Sequence, residues 1–201
     1  RMARANVILE DGVNEIKVVA RHGDEWITDV TFIRFEDRAR HNAHPAPGLV
    51  LAANAGSDYS YVDDAGVVWE ADRAWEEGSW GFVEGTPRRT HRRIAATGDD
   101  PLFQTSREGM AEYRFDLPDG TYEVEIGFAE LERSRRAGDR VFDVRINDAL
   151  LAADLDLAGE RGTLTALRRK AIVEAAGGTG ISVAFVPKEK SPTVSAILIR
   201  R

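Results

Sequence analysis

Apolar residues recur at every second position along several stretches of the chain. The stretches 113–117, 122–128, 142–146 and 181–185 each alternate apolar side chains with polar or charged ones. Alternate residues of a β-strand point to opposite faces of a sheet, so this pattern predicts strands with one buried face. Turn-forming residues such as Pro118-Asp119-Gly120 separate the stretches. The pattern therefore predicts an all-β protein, an antiparallel sandwich or jelly roll with little helix.

The beginning of the chain shows the same period on a smaller scale. Three strands are expected there, at 6–9, 14–20 and 26–35. Three strands cannot enclose a sandwich core by themselves, so we interpret residues 1–35 as the closing strands of a domain or as a sheet that rests on its neighbour. The next segment, 36–48, lacks an apolar period and ends in proline and glycine, which is typical of an exposed linker. A second domain is expected at 49–201.

Composition and charge narrow the classes of function. The chain has 27 basic and 34 acidic residues and a net charge of −7. This balance disfavours nucleic acid as a partner, because phosphate binding needs a basic surface. The basic runs at 88–93, 133–136 and 168–170 are interpreted as solvated loops. No apolar run approaches the ~20 residues of a membrane-spanning helix, so no membrane association is expected. The absence of cysteine excludes disulfides, thiol catalysis and cysteine-based zinc sites.

Motifs for catalysis and for metal binding are missing from the sequence. Adjacent acids such as Asp63-Asp64 could supply the carboxylate pair of a glycosidase, but such pairs on loops are usually solvated. His41 and His44 fall in the expected linker, which argues against a shared metal ion. We therefore predict no catalytic residue and no cofactor. Asp63 and Asp64 offer oxygen ligands to calcium, but they match no calcium-binding loop.

Aromatic residues are concentrated between residues 54 and 103, where most of the four tryptophans lie. Aromatic rings cover the apolar faces of sugars, while carboxylate and guanidinium groups bind the hydroxyls. Trp69 and Trp75 are expected to close one end of the core, since large aromatic residues are mostly buried. Tyr59 and Tyr61 are two residues apart and would share one face of an extended segment, which makes them candidates for a sugar-stacking platform.

Several short motifs occur in an order that resembles the malectin family of carbohydrate-binding domains. The resemblance covers residues 49–200 and rests on the motifs Asn54-Ala55-Gly56, Trp69-Glu70-Ala71-Asp72-Arg73, Phe103-Gln104-Thr105, Phe128-Ala129-Glu130 and the stretches 113–122, 140–147 and 192–197. It implies a jelly-roll-like β-sandwich that binds oligo- or polysaccharide through its loops. Animal lectins of this family have two aromatic residues directly after Ala-Glu, where this chain has Leu131-Glu132-Arg133.

The resemblance and the aromatic concentration together give a set of candidate sugar-binding residues. Phe103 occupies the place of a ligand-contacting aromatic residue in the animal lectins, so the resemblance implies a stacking role for it. The expected stacking residues are Tyr59, Tyr61 and Phe103, and the expected polar partners are Asp72, Arg73 and Glu130.

A second resemblance concerns the leading segment, 7–35. It is similar to the closing strands of the immunoglobulin-like domains of β-galactosidase-like enzymes of glycoside hydrolase family 2. This resemblance implies that the chain is an accessory part of an exported bacterial glycoside hydrolase, secreted or periplasmic, in contact with other domains of that enzyme. The alternative is a structural or interaction domain of the same enzyme without sugar affinity of its own.

Overall fold

The protein is divided into two compact units. The computed structural model describes residues 12–35 and 48–201. The two units are Arg1–Ala43 and His44–Arg201, so the division falls inside the predicted linker at 36–48. The strand predicted at 6–9 and nearly all of that linker lie outside the described residues.

The described part of the first unit is a β-hairpin. Strands β1 (Gly12–His22) and β2 (Glu25–Phe35) pair antiparallel along their whole length. They are joined by a two-residue turn whose first residue, Gly23, has a φ of 63°, as a type II′ turn requires. The strands predicted at 14–20 and 26–35 are therefore present.

The second unit is built almost entirely from strands. Among its described residues the strands are β3 (Leu49–Asn54), β4 (Tyr61–Val62), β5 (Val68–Ala71), β6 (Trp80–Val83), β7 (Thr86–Arg89), β8 (Thr105–Glu108), β9 (Glu112–Phe115), β10 (Gly120–Ala129), β11 (Val141–Ile146), β12 (Ala149–Leu155), β13 (Ala166–Ala175), β14 (Ile181–Glu189), β15 (Thr193–Val194) and β16 (Ala196–Arg200). Two short helices interrupt them, α1 (Asp100–Phe103) and α2 (Leu157–Arg161). In the part of the chain that the structure describes, no helix has the length and apolar character needed to cross a membrane.

The strands form two large sheets and one small one. The six-stranded sheet has the order β13-β10-β16-β3-β5-β4, and the five-stranded sheet has the order β12-β11-β14-β9-β6. The strands β15, β8 and β7 form a separate three-stranded sheet. Neighbouring strands are antiparallel except for β3 and β5, which run parallel. The predicted all-β sandwich fold is confirmed, with this one parallel pair.

The main core lies between the two large sheets. Inward-facing residues at alternate positions of β10, β11 and β14 are buried, as the alternation in the sequence predicts. The ring of Phe142 lies 6.1 Å from that of Phe128 and 6.5 Å from that of Phe185, measured between ring centroids. Aromatic contacts at this separation add to the free energy gained from burial alone.

A second core covers the opposite face of the six-stranded sheet. It includes Trp69, Phe103 and the Leu198 side chain of β16. Because β16 is covered on both faces, its residues Ala196 to Ile199 are all buried. A Cβ atom at Gly127 of β10 would come within 3.0 Å of the Phe103 ring, so glycine lets that ring lie against the sheet.

Candidate functional site

Tyr59 is the most exposed of the candidate sugar-binding residues. Its exposed fraction is 66%. The backbone that carries it is held in place: the carbonyl oxygen of Tyr59 accepts hydrogen bonds from Asn54 Nδ2 at 3.1 Å and from Ser57 Oγ at 3.0 Å. The amide of Tyr59 donates back to Ser57 Oγ. A fixed backbone with an exposed ring is suited to stacking on a sugar.

Tyr61 does not form a common platform with Tyr59. Its side chain is half-buried and packs against the second core. The hydroxyl of Tyr61 donates to Asp99 Oδ1 at 3.2 Å. Burial, and then the negative charge of Asp99, raise the pKa of Tyr61 to about 12. Tyr61 therefore acts in this structure as a packing residue with an internal hydrogen bond.

Phe103 is fully buried, at 0% exposure, which corrects the expectation that it stacks on sugar. The physical reason is that α1, which carries Phe103, packs against β10 on the outer face of the six-stranded sheet. The guanidinium of Arg168 lies 5.0 Å from the centre of the Phe103 ring. No face of this ring is open to a ligand.

Asp72 also points inward rather than toward solvent. Its side chain is 1% exposed and pairs with Arg107 Nε at 2.6 Å. It accepts hydrogen bonds from the amide of Gly56 at 2.6 Å and from the hydroxyl of Tyr113 at 3.0 Å. Burial raises the pKa of the Asp72 carboxyl, and Arg107 and Gly56 oppose that shift. The carboxylate ties the Gly56 turn to β8 and β9, so its expected role as a sugar partner is corrected.

The turn at Gly56 explains part of the Asn54-Ala55-Gly56 motif. Gly56 has a φ of 76°, and a Cβ atom there would lie 2.1 Å from the carbonyl oxygen of Ser106. Only glycine fits this close approach to β8. The motif therefore serves the packing that holds the Tyr59 loop.

Arg73 is half-exposed and serves a local contact. Its guanidinium pairs with Glu70 at 3.4 Å and lies 4.3 Å from the centre of the Trp80 ring. Of the two tryptophans expected in the core, Trp69 is buried at 2% exposure, whereas Trp75 is only partly buried. In this structure the Arg73 side chain thus takes part in local contacts with Glu70 and Trp80.

Glu130 lines a surface cavity but its carboxylate is already bound by the protein. It pairs with Arg140 Nε at 2.7 Å, and both side chains are almost fully buried. It also accepts a hydrogen bond from the amide of Glu132 at 2.9 Å. Arg140 in turn contacts Glu108 at 3.1 Å and donates to the carbonyl oxygen of Ser191. This buried network forms the base on which the surrounding loops rest.

The cavity has a volume of about 220 Å³ and lies where several parts of the fold meet. Its walls come from β7, β8 and β15 and from the loop that follows β10. Its uncharged lining includes Ser106, Leu131 and Thr193. Its charged lining consists of four arginines and three glutamates, namely Arg88, Arg89, Arg135, Arg140, Glu108, Glu130 and Glu132.

The loop that carries Tyr59 is connected to this cavity. Asp58, the residue before Tyr59, pairs with the cavity residue Arg89 at 3.4 Å. Asn54 accepts a hydrogen bond from the hydroxyl of Thr105 on β8, at 3.2 Å. These contacts link the loop of Tyr59 to the strands that form the cavity wall, and we call the exposed Tyr59 ring and the cavity together the rim site.

The arginines of the rim site were not among the candidates drawn from the sequence. The runs 88–93 and 133–136 are interpreted there as solvated loops, yet Arg88, Arg89 and Arg135 line one cavity together. One sequence signal does point to the cavity: Leu131 and Glu132 follow the Ala-Glu motif, where the animal lectins that the sequence resembles have aromatic residues. Both residues line the cavity.

A calcium site at Asp63 is opposed by the hydrogen bonds of its carboxylate. One oxygen accepts from the amides of Ala65 and Val67, both at 2.9 Å, and the other accepts from the indole of Trp69 at 3.0 Å. Asp63 thus shapes its own turn. Among residues 12–35 and 48–201, no group of three or more side chains is arranged to hold a metal ion.

Comparison with known proteins identifies relatives of the second unit. The malectin domain family model matches residues 49–197. Malectin-A of Xenopus laevis is 30% identical over 129 residues, which is 63% of this chain and 45% of that protein. Malectin of Mus musculus is 28% identical over 121 residues, 59% of this chain and 40% of that protein. The chain thus spans less than half the length of these curated relatives.

Solved structures with the same fold include enzymes and receptors. A beta-glucuronidase of Bacteroides uniformis superposes with a TM-score of 0.71 and 26% sequence identity, over 97% of this chain and 23% of that enzyme. The extracellular domain of ANXUR2 from Arabidopsis thaliana superposes with a TM-score of 0.59 and 16% identity, over 75% of this chain and 48% of that one. The second likeness concerns the fold alone.

Proposed function

The chain belongs to the malectin family, and from this premise we propose that its second unit is a non-catalytic carbohydrate-binding module whose sugar site is the rim site. The observation that carries the proposal is the connection of the exposed Tyr59 ring to a polar cavity. A sugar ring would stack on Tyr59, and its hydroxyl groups would bind polar side chains such as Ser106, Glu132 and Thr193 in the cavity.

The position of the cavity supports the same proposal. Leu131 and Glu132 stand where the animal lectins of the family have two aromatic residues, and both face the cavity. Since these positions offer no stacking ring here, Tyr59 would supply the apolar contact. Phe103 and Asp72 have no direct role in this scheme because both are buried in internal contacts. Glu130 contributes indirectly, by holding Arg140 at the base of the cavity.

We propose further that the module serves an exported bacterial glycoside hydrolase of the β-galactosidase-like type, in the periplasm or outside the cell. The likeness to the Bacteroides uniformis beta-glucuronidase supports this setting, because it extends over nearly the whole chain and over about a quarter of that enzyme. In this proposal the hairpin of β1 and β2 belongs to an immunoglobulin-like domain. Other domains of the enzyme would then be its neighbours.

Affinity electrophoresis of the full chain with a broad panel of plant and bacterial polysaccharides tests the sugar-binding proposal. We expect retardation by at least one polysaccharide. The variant Tyr59→Ala should weaken binding by about three- to tenfold, which corresponds to the free energy of one aromatic stacking contact. Trp26→Ala is the matched control, because Trp26 is 68% exposed but lies in the hairpin. No retardation by any polysaccharide, or equal binding by Tyr59→Ala, would refute the proposal.

A second candidate function is a structural or interaction role without sugar affinity. The observation that favours it is the exposed apolar surface of the hairpin, which consists of Val18, Val19, Trp26, Ile27 and Val30. Apolar surface of this kind marks contact sites. Deleting the second unit from the parent enzyme separates the two functions. If the unit is a binding module, the enzyme should lose polysaccharide affinity at an unchanged melting temperature. If it is a structural module, the melting temperature of the enzyme should fall.

A further inference from the structure

The charges of the rim site are unusual for a protein of net charge −7. The cavity lining has one more arginine than glutamate, so it carries a net positive charge. Three of its arginines are paired: Arg140 with Glu130 and Glu108, Arg88 with Glu108, and Arg89 with Asp58. The fourth arginine, Arg135, determines which charged ligands the cavity can bind.

The guanidinium of Arg135 differs from the other three in its contacts. It makes no hydrogen bond or ion pair with any residue that the structure describes, and its Nε atom is buried without a partner. A guanidinium is charged at every physiological pH and carries five N–H donors. Of these donors the Nε–H is buried, although the residue as a whole is partly exposed. Buried donors are normally satisfied, so an acceptor from outside the chain is expected at Nε.

Glu132 does not supply that acceptor. Its carboxylate accepts a hydrogen bond from Ser134 Oγ at 2.8 Å. Hydrogen bonds from Ser134, and then the positive charges of Arg135 and Arg140, lower the pKa of the Glu132 carboxyl. Glu132 is therefore near enough to be influenced by Arg135, yet it is oriented toward Ser134.

We propose that the rim site selects acidic sugars, and that Arg135 binds the carboxylate of a uronic acid residue. This inference rests on the proposed carbohydrate-binding function and names its ligand class. A carboxylate matches the planar fork of a guanidinium with two parallel hydrogen bonds. Another sugar ring of the same oligosaccharide would lie on the exposed ring of Tyr59. A neutral sugar offers hydroxyl groups but no charge to balance Arg135.

Isothermal titration calorimetry of the full chain measures this selectivity. The ligands are oligosaccharides of galacturonic and glucuronic acid, their methyl esters, which keep the shape without the charge, and the matching neutral oligosaccharides. We expect the acids to bind at least about tenfold more tightly than the esters, as a charge-assisted bidentate contact implies. This preference should shrink when sodium chloride is raised from about 20 to about 500 mM.

Two substitutions of Arg135 test the residue itself. Arg135→Gln should abolish the preference for acid over ester, and Arg135→Lys should leave an intermediate preference, because lysine keeps the charge and loses the planar fork. Arg133→Gln is the matched control, since Arg133 is exposed on the same loop but does not line the cavity. The control should retain the preference. If Arg135→Gln fails to fold, Arg135→Lys and the comparison of acid with ester still test whether Arg135 binds the carboxylate.

The outcomes distinguish this inference from the proposed function. Equal affinity for acids, esters and neutral sugars would overturn the acidic preference and leave a carbohydrate-binding module. Tighter binding of sulfated sugars than of uronic acids would overturn the carboxylate assignment. Binding of no sugar at all would refute the proposed function itself.

Discussion

Replacing Arg107 with methionine should destabilise the second unit strongly, because it removes the guanidinium that pairs with the buried Asp72. The pair is separated by 2.6 Å, and the two side chains are 8% and 1% exposed. Arg107 also donates to the carbonyl oxygen of Gly85 at 3.0 Å and lies against the Phe82 ring. Methionine keeps much of the apolar contact but leaves the carboxylate without its counter-charge.

The expected loss follows from the cost of a buried, unpaired charge. Removing one partner of a buried ion pair costs about 3–5 kcal/mol in the free energy of unfolding. For a protein of this size, that loss corresponds to a fall in melting temperature of roughly 6–20 °C. Urea unfolding followed by circular dichroism measures the free energy, and a thermal scan measures the melting temperature.

Two further variants test whether the loss comes from the ion pair between Asp72 and Arg107. Arg73→Met is the matched control, since Arg73 is half-exposed and its contacts are worth less than about 1 kcal/mol. The double variant Asp72→Asn with Arg107→Met should lose less than the sum of the single losses, with a coupling of at least about 1 kcal/mol. A loss below about 1 kcal/mol for Arg107→Met would show that Asp72 is solvated and would reopen its role as a sugar partner.

Three other substitutions test the placement of individual residues. Phe103→Ala should cost about 3–5 kcal/mol in urea unfolding, because it opens a cavity in the second core, whereas an exposed sugar-stacking ring would cost little. Tyr61→Phe should cost about 1 kcal/mol by losing the hydrogen bond to Asp99, which the same measurement detects. Hydrogen bonds from Lys188 and from the amide of Asp154 lower the pKa of the Asp143 carboxyl, so its contribution to stability is complete above the ordinary pKa of 3.8 and is lost as the pH falls through the lower folded value. Asp143→Asn should therefore lower the melting temperature at neutral pH, and the difference from the parent chain should vanish in a thermal scan well below pH 3.8; a difference that persists unchanged in acid would contradict the assignment.

The sequence predicts strands well wherever one face of a strand is covered. Alternation over 122–128 and 142–146 corresponds to the buried and exposed faces of β10 and β11. Alternation disappears at 196–199, because both faces of β16 are covered. The burial of Phe103 depends on the packing of α1 against β10, which lies further along the chain, and a local pattern does not contain that information.

The site was less predictable than the fold, because its residues come from segments that are separate in the sequence. Arg88, Arg89 and Arg135 stand in separate basic runs, and such runs are usually solvated. Only the meeting of β7 with the loop after β10 gives them a common cavity. The exposure of Tyr59, by contrast, depends on a short local turn, which is a feature that a local stretch of sequence contains.

The position of β16 has a consequence for synthesis on the ribosome. This strand is the last of the described strands in chain order, yet it pairs with β10 on one side and with β3 on the other. Until residues 196–200 emerge from the exit tunnel, the nascent chain holds two incomplete half-sheets with open edges. Such edges can pair with other chains, so the second unit is prone to aggregation until β16 takes its place between β10 and β3.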